Sequence, residues 1–347
     1  MRLRRPVPDD VLRERLDTLV ATFDISTIEP DPLQLVLRYT DPLDQEVAGL
    51  IAAAFAYGRA YIIVSNIGAL LAAMGDSPFV YVARFERAEG ERHFRGFAHR
   101  FHKTADVVDL LERLAAVIAE HGSLGGLFRA CYEPSDADTG PSLDRFVKSI
   151  IGVAGSPSHP VTGNESAEGR ARSAGDRKAD LSSAHCALRS NDHFVHAASP
   201  PSRSPGNPVT RRPGNHAKSL QYLLSSPQDG SACKRMNLFL RWMVRRTPPD
   251  LGLWNFVDPS KLVMPLDTHV HRIATFLGLN DRKSADWKTA RLLTDRLARL
   301  DAADPVRYDF ALCRLGILDL CSRTRRKENC DVCLLRDVCR FPVVKSK

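Results

Sequence analysis

The sequence predicts an all-α protein. Apolar residues recur at helical spacing through most of the chain, and alternating apolar–polar runs of strand type are scarce. No strand–helix crossover pattern is evident, which argues against an α/β sheet. The 347 residues are 44% hydrophobic and 26% charged, a balance that excludes collagen-like, coiled-coil-only and disulfide-scaffold classes. At roughly 100–200 residues per domain, two domains are expected.

The elements follow in order. Asp10 to Phe23 carries Leu12, Leu16, Leu19, Val20 and Phe23 on one helical face. Asp44 to Met74 reads as a strongly apolar pair of helices, closed by Gly75. Its most apolar part, from Val47, is interrupted by Gly58, Arg59 and Asn66, so it is not a membrane span. Ala105 to Glu120 is amphipathic, with Val108, Leu111, Leu114 and Ile118 together, and a short helix follows around Leu127. The run Phe94, Phe97, His99, Arg100, Phe101 reads as a packed helix rather than a binding groove. Further helices are expected at Ser231–Arg246, Asp267–Leu277, Trp287–Leu300 and Val306–Leu320. The arginines of the N-terminus are not followed by an apolar core, so no secretory signal is read there.

Residues 156–219 break the pattern. They are rich in Ser, Pro, Gly, Arg and His, and contain Ser199-Pro-Pro-Ser-Arg-Ser-Pro205. Such composition cannot bury enough apolar surface to offset ordering entropy, so a disordered insertion within a folded domain is expected. Its five histidines are irregularly spaced, and its Cys186 has no evident partner.

Net charge is +8, but it is local: +4 lies in residues 156–219 and +5 in residues 321–347, which leaves −1 elsewhere. A nucleic-acid partner must therefore be argued from patches, the best being Arg323-Thr-Arg-Arg-Lys327.

Four cysteines, Cys321, Cys330, Cys333 and Cys339, lie in a C-x8-C-x2-C-x5-C arrangement. Gathered thiolates repel unless a metal neutralises them. Zinc and a [4Fe–4S] cluster both suit four sulfurs. Zinc sites usually carry two C-x2-C pairs, and the single pair here favours the cluster. Cys313 falls within the apolar run Phe310, Leu312, Leu315, Ile317 and is expected in the core.

Leu266-Asp-Thr-His-Val-His-Arg272 followed by the cysteine loop, with Glu46-Val-Ala-Gly-Leu-Ile-Ala-Ala-Ala-Phe-Ala-Tyr-Gly-Arg59 upstream, resembles the helix-hairpin-helix DNA glycosylase superfamily, including endonuclease III. The resemblance implies a two-lobed fold. Residues 46–250 would form a helical barrel interrupted by the insertion; residues 1–45 with 251–347 would carry the iron–sulfur loop. The first cysteine gap is eight residues where the superfamily has six. The hairpin also departs, reading Ser226-Pro-Gln-Asp-Gly-Ser-Ala-Cys-Lys234, and is similar to the hairpin of an archaeal 8-oxoguanine glycosylase branch. The first segment and Gly230-Ser-Ala-Cys-Lys-Arg-Met-Asn-Leu-Phe-Leu-Arg-Trp-Met243 also look like a bacterial group catalogued only as uncharacterised.

The glycosylase resemblance implies excision of a damaged, oxidised or otherwise altered base flipped from double-stranded DNA, with β-lyase activity. Lys234 is the implied nucleophile and Asp267 the implied catalytic carboxylate. Cys321, Cys330, Cys333 and Cys339 would hold a [4Fe–4S] cluster. Tyr57 would stack on the orphaned base, Arg59 would meet phosphate, and Gly230, Ser231 and Arg235 would contact the DNA backbone. Two other readings stand beside it: a monofunctional glycosylase using Asp267 and water, and a non-enzymatic DNA-binding or sensing protein. A monomer in the cytoplasm, near the nucleoid and away from any membrane, is expected.

Overall fold

The computed structural model describes residues 7–152, 214–322 and 326–340, all within one compact unit. Residues 156–213 of the expected insertion, Cys186 among them, and Arg323 and Arg325 of the basic patch lie outside the described residues.

The fold is almost entirely helical. In chain order the elements are α1 (Asp9–Thr22), α2 (Leu33–Val36), α3 (Pro42–Ala54), α4 (Ala60–Ala72), α5 (Pro78–Ala83), α6 (Arg87–His93), β1 (Ala98–His99), β2 (His102–Lys103), α7 (Thr104–His121), α8 (Leu124–Cys131), α9 (Gly140–Gly152), α10 (Gly214–Leu223), α11 (Lys234–Val244), α12 (Thr268–Leu277), α13 (Trp287–Ala298), α14 (Asp309–Ile317) and α15 (Lys327–Asp331). Among the described residues, no helix is long and apolar enough to cross a membrane.

The core is built on α3 and α11. Every residue of α3 from Glu46 to Ala54 is buried, and its small side chains let α11 approach closely. A Cβ added at Gly49 would come 2.9 Å from Met243 Cε. Residues 236–244 of α11 are all buried, including Arg241. Behind this pair Trp254 stacks on Phe128 at 4.8 Å and meets Phe239 edge-on at 5.3 Å. Glu46 receives the Trp254 Nε1–H at 2.7 Å and the Gly125 N–H at 2.9 Å. It thus ties α3 to the N-terminus of α8, where unpaired N–H groups favour a carboxylate. Burial raises the Glu46 carboxyl above the usual range.

Three sequence expectations are corrected. The aromatic–basic run is not a packed helix. Residues 98–103 form a tight antiparallel hairpin, with Arg100 in the left-handed region at φ 55° and Phe101 exposed at its tip. The end of the expected insertion, residues 214–219, lies in α10, whose Leu220 and Leu223 reach the core. Finally, α11 starts at Lys234 rather than Ser231, because Cys233 adopts φ 48° and Ser231 instead pairs with Asp286 in an isolated bridge.

Candidate active site

A cavity of about 670 Å³ opens where the C-terminal end of α3 meets the N-termini of α11 and α12. Lys234 and Asp267 both line it, as do Tyr57, Arg59 and Arg235. Five of the sequence-predicted site residues, far apart in the chain, are brought to one wall system. Gly230 and Ser231 are exposed in the turn before α11 and do not line the cavity.

Local structure explains each placement. Helix α3 ends at Ala54, and the first two residues of α11 meet backbone carbonyls at and just past that end. Lys234 Nζ donates to Ala56 O at 3.3 Å, and Arg235 Nη1 donates to Ala54 O at 2.8 Å. Cations are favoured at such a helix end. Arg235 also donates to Tyr222 O, and its guanidinium lies 4.7 Å from the Tyr222 ring and 5.2 Å from the Tyr57 ring. Asp267 caps α12: its Oδ1 accepts from the His269 and Val270 N–H groups, each at 2.8 Å. Its Oδ2 faces Cys313, whose thiol donates at 3.6 Å.

The cavity contains residues that periodicity hid. Cys313 packs against the core as expected and also lines the cavity, and Asp31 and Asp309 join the wall. Asp309 and Cys313 stand four residues apart on α14 and so share a face, a signal available in the sequence. Burial pushes the Cys313 thiol well above its ordinary value, and Asp267 and Asp309 add to this, so it is a protonated donor to Asp267. Burial pushes the Asp309 carboxyl up to about 6; Arg241 opposes this and Asp267 reinforces it. Behind the cavity Arg241 pairs with Asp309 and with Asp250 at 3.1 Å, while Arg245 pairs with Asp250 and with Asp304 at 2.9 Å. Three carboxylates face two guanidinium groups there.

Tyr57 is half-buried, with its hydroxyl 3.1 Å from His99 O and 2.5 Å from His102 Nδ1. His99 Nε2 in turn lies 3.1 Å from Tyr57 O. Arg59 is exposed at the start of α4, on the cavity rim.

The four cysteines of the C-terminal loop lie within electrostatic reach of one another. Burial raises the Cys321 thiol to about 11; Arg272 opposes this, and Cys333, Cys339 and Cys330 all reinforce it. Arg272 also donates to the Cys321 carbonyl at 2.5 Å, and the Cys321 N–H donates to Leu315 O at 2.8 Å. The donor set is four thiols on one loop, the soft ligands that a thiolate-bound metal or cluster takes. Among the described residues no three potential ligands already stand at metal-holding geometry. The loop is linked to the cavity, since Arg272 lies on the helix that Asp267 caps and Nη2 is 3.4 Å from His269 Nδ1.

Residues 31–174 and 203–318 match the family model described as "Protein of unknown function (DUF2400)", well over half of the chain. The chain belongs to the DUF2400 family. The family match spans α2 to α14 and takes in every cavity-lining residue but Pro30; it stops before Cys321. Its internal gap, between residues 174 and 203, falls inside the segment that composition marks as an insertion. The match to DUF2400 overturns the glycosylase-superfamily resemblance, for which the comparison gives no evidence. The reason is visible in the sequence: the superfamily's defining hairpin signature is missing. In its place stand a 3₁₀ turn at Pro227–Asp229, left-handed Gly230 and left-handed Cys233. No curated protein and no solved structure matches the chain.

Proposed function

We propose that this protein excises a damaged base from double-stranded DNA and cleaves the resulting sugar by β-elimination. The observation that carries the reading is that one cavity presents a primary amine, Lys234, and a carboxylate, Asp267. Its volume, about 670 Å³, accommodates a nucleoside taken out of the base stack. The exposed Arg59 at the rim suits a flanking phosphate, with Arg235 adding positive charge in the wall behind it.

Lys234 Nζ attacks C1′ and forms a C–N bond as the glycosidic bond breaks. The bonding electrons leave with the base, which takes up a proton. Asp267 Oδ2 stabilises the positive charge developing on the sugar and accepts a proton from the attacking nitrogen. Ring opening then gives a Schiff base. In that opening O4′ takes the proton held by Asp267; loss of a C2′ proton to the freed carboxylate then breaks the C3′–O bond and expels the 3′ phosphate, and water hydrolyses the unsaturated Schiff base to free the Lys234 amine.

The proposal includes the two-lobed organisation, with residues 46–250, interrupted by the insertion at 156–219, in one lobe and 1–45 with 251–347 in the other. It also includes a [4Fe–4S] cluster on Cys321, Cys330, Cys333 and Cys339. Held by these four cysteines, a cluster would neutralise the thiolates and brace the loop, which Arg272 holds to α12 through the Cys321 carbonyl. A second reading, a DNA-binding protein without catalysis, is favoured by one fact. Both polar groups already have structural partners: Lys234 bonds the Ala56 carbonyl and Asp267 caps α12. Release of base from duplexes bearing oxidised or deaminated bases separates the two. Release by the wild type, abolished in Lys234→Ala, supports the enzyme; binding without release of any tested base supports the rival.

A further inference from the structure

We infer that the β1–β2 hairpin tip is a stacking platform for an unpaired nucleobase beside the cavity, with Phe101 as its contact ring. This rests on the reading of the cavity as a DNA-processing site and adds a surface to it.

The observation is an exposed ring on a fixed mount. Phe101 is 61% exposed and Tyr222, beside it, is 45% exposed. The two rings meet edge-on with centroids 5.7 Å apart and so form one exposed aromatic patch rather than scattered side chains. The backbone beneath Phe101 is held from several sides. Asn66 Nδ2 donates to Ala98 O at 3.2 Å, the Tyr57 hydroxyl bonds His99 O, and His99 and His102 are buried. Arg100 sits in the left-handed region that L side chains rarely adopt, so the surrounding contacts fix the turn. The Arg100 side chain lies over Gly58, where an added Cβ would come within 3.4 Å of Arg100 Cδ.

The chemistry of the tip selects the ligand. The Phe101 ring is parallel to the Tyr57 ring within 2°, and Tyr57 lines the cavity. The Arg100 guanidinium lies 5.2 Å from the Phe101 ring, and Arg100 and Lys103 are both exposed. An aromatic face flanked by cations recognises a planar π system carried on an anionic backbone, which is an unpaired base of a nucleic acid. A protein partner would not require the cations, and a fully paired duplex offers no free base face. Tyr57, with its hydroxyl tied to His99 and His102, is the wall behind the platform, while Phe101 is the ring that can be covered.

The test compares two fluorescein-labelled duplexes by anisotropy: one with a tetrahydrofuran abasic analogue opposite an adenine, the other fully paired. Wild-type protein is expected to prefer the first. Phe101→Ala should reduce that preference about tenfold, the scale of one base–aromatic stack, and Phe101→Trp should retain it. Arg100→Ala should weaken both duplexes alike. Because Phe101 is exposed, its loss should leave the thermal midpoint unchanged, which checks folding. An unchanged preference in Phe101→Ala overturns the platform, even if Lys234-dependent base release stands. Failure of the wild type to bind either duplex overturns the platform and the DNA reading together.

Discussion

At the residue scale, Asp267 does two things with two oxygens. Oδ1 caps α12 and Oδ2 faces Cys313 in the cavity. Asparagine can still accept the capping bonds but carries no charge. Asp267→Asn should therefore keep the thermal midpoint close to wild type while base release falls at least roughly a hundredfold, the usual weight of a positioned acid–base group. Differential scanning calorimetry beside a base-release assay checks both halves; a large loss of stability would mean the charge serves the fold. Next to it, the His269 ring packs directly over Gly316 of α14. A methyl group there enters the imidazole, so Gly316→Ala should lower stability by about 1–3 kcal/mol, read from urea unfolding. The helix that Asp267 begins was legible in the sequence as the amphipathic run Asp267–Leu277. The Cys313 contact was not, because its apolar neighbours Leu312 and Leu315 gave it the appearance of core.

At the element scale, α11 joins the cavity to the buried charge network of Arg241, Arg245, Asp250, Asp304 and Asp309. Removing Asp250 leaves two buried guanidinium groups short of a partner. Asp250→Ala should cost about 3–5 kcal/mol, measured as a shift in denaturation midpoint. Asp309 gives the network a pH dependence. A carboxyl with an ordinary value of 3.8 in the unfolded chain is pushed up to about 6 in the fold. Between those values the folded protein keeps a proton that the unfolded chain has lost. This contribution is fully present below about 4 and is lost as pH rises towards 6. Thermal midpoints of wild type and Asp309→Asn across that window should diverge in slope, the variant lacking this term. Helices with clean periodicity, α1, α7 and α12, were readable to within a residue or two at each end. The hairpin at residues 98–103 was not, because two-residue strands are too short to show alternation and the turn is set by Arg100 adopting a positive φ. Helix α10 was hidden by the polar composition of the segment it ends.

At the scale of the whole molecule, residues separated by more than 170 positions meet because Gly49 and its small neighbours let α3 and α11 close on each other. Sequence separation of that kind leaves no local trace, so the convergence of Lys234, Asp267 and Asp309 was not readable from spacing. The cysteine loop reaches the same region through Arg272 and α14. Iron and sulfide analysis of purified protein should give four of each per chain for a bound [4Fe–4S] cluster, with loss in Cys330→Ser; stoichiometric zinc instead would replace the cluster with a zinc site. The central claim, that the Lys234 amine attacks the sugar in the cavity it shares with Asp267, is tested most directly by borohydride reduction in the presence of a lesion-bearing duplex, followed by mass-spectrometric mapping of the trapped peptide. The account predicts a covalent deoxyribose adduct on Lys234 that disappears in Lys234→Ala. An adduct on another residue, or equal trapping by wild type and Lys234→Ala, would contradict it.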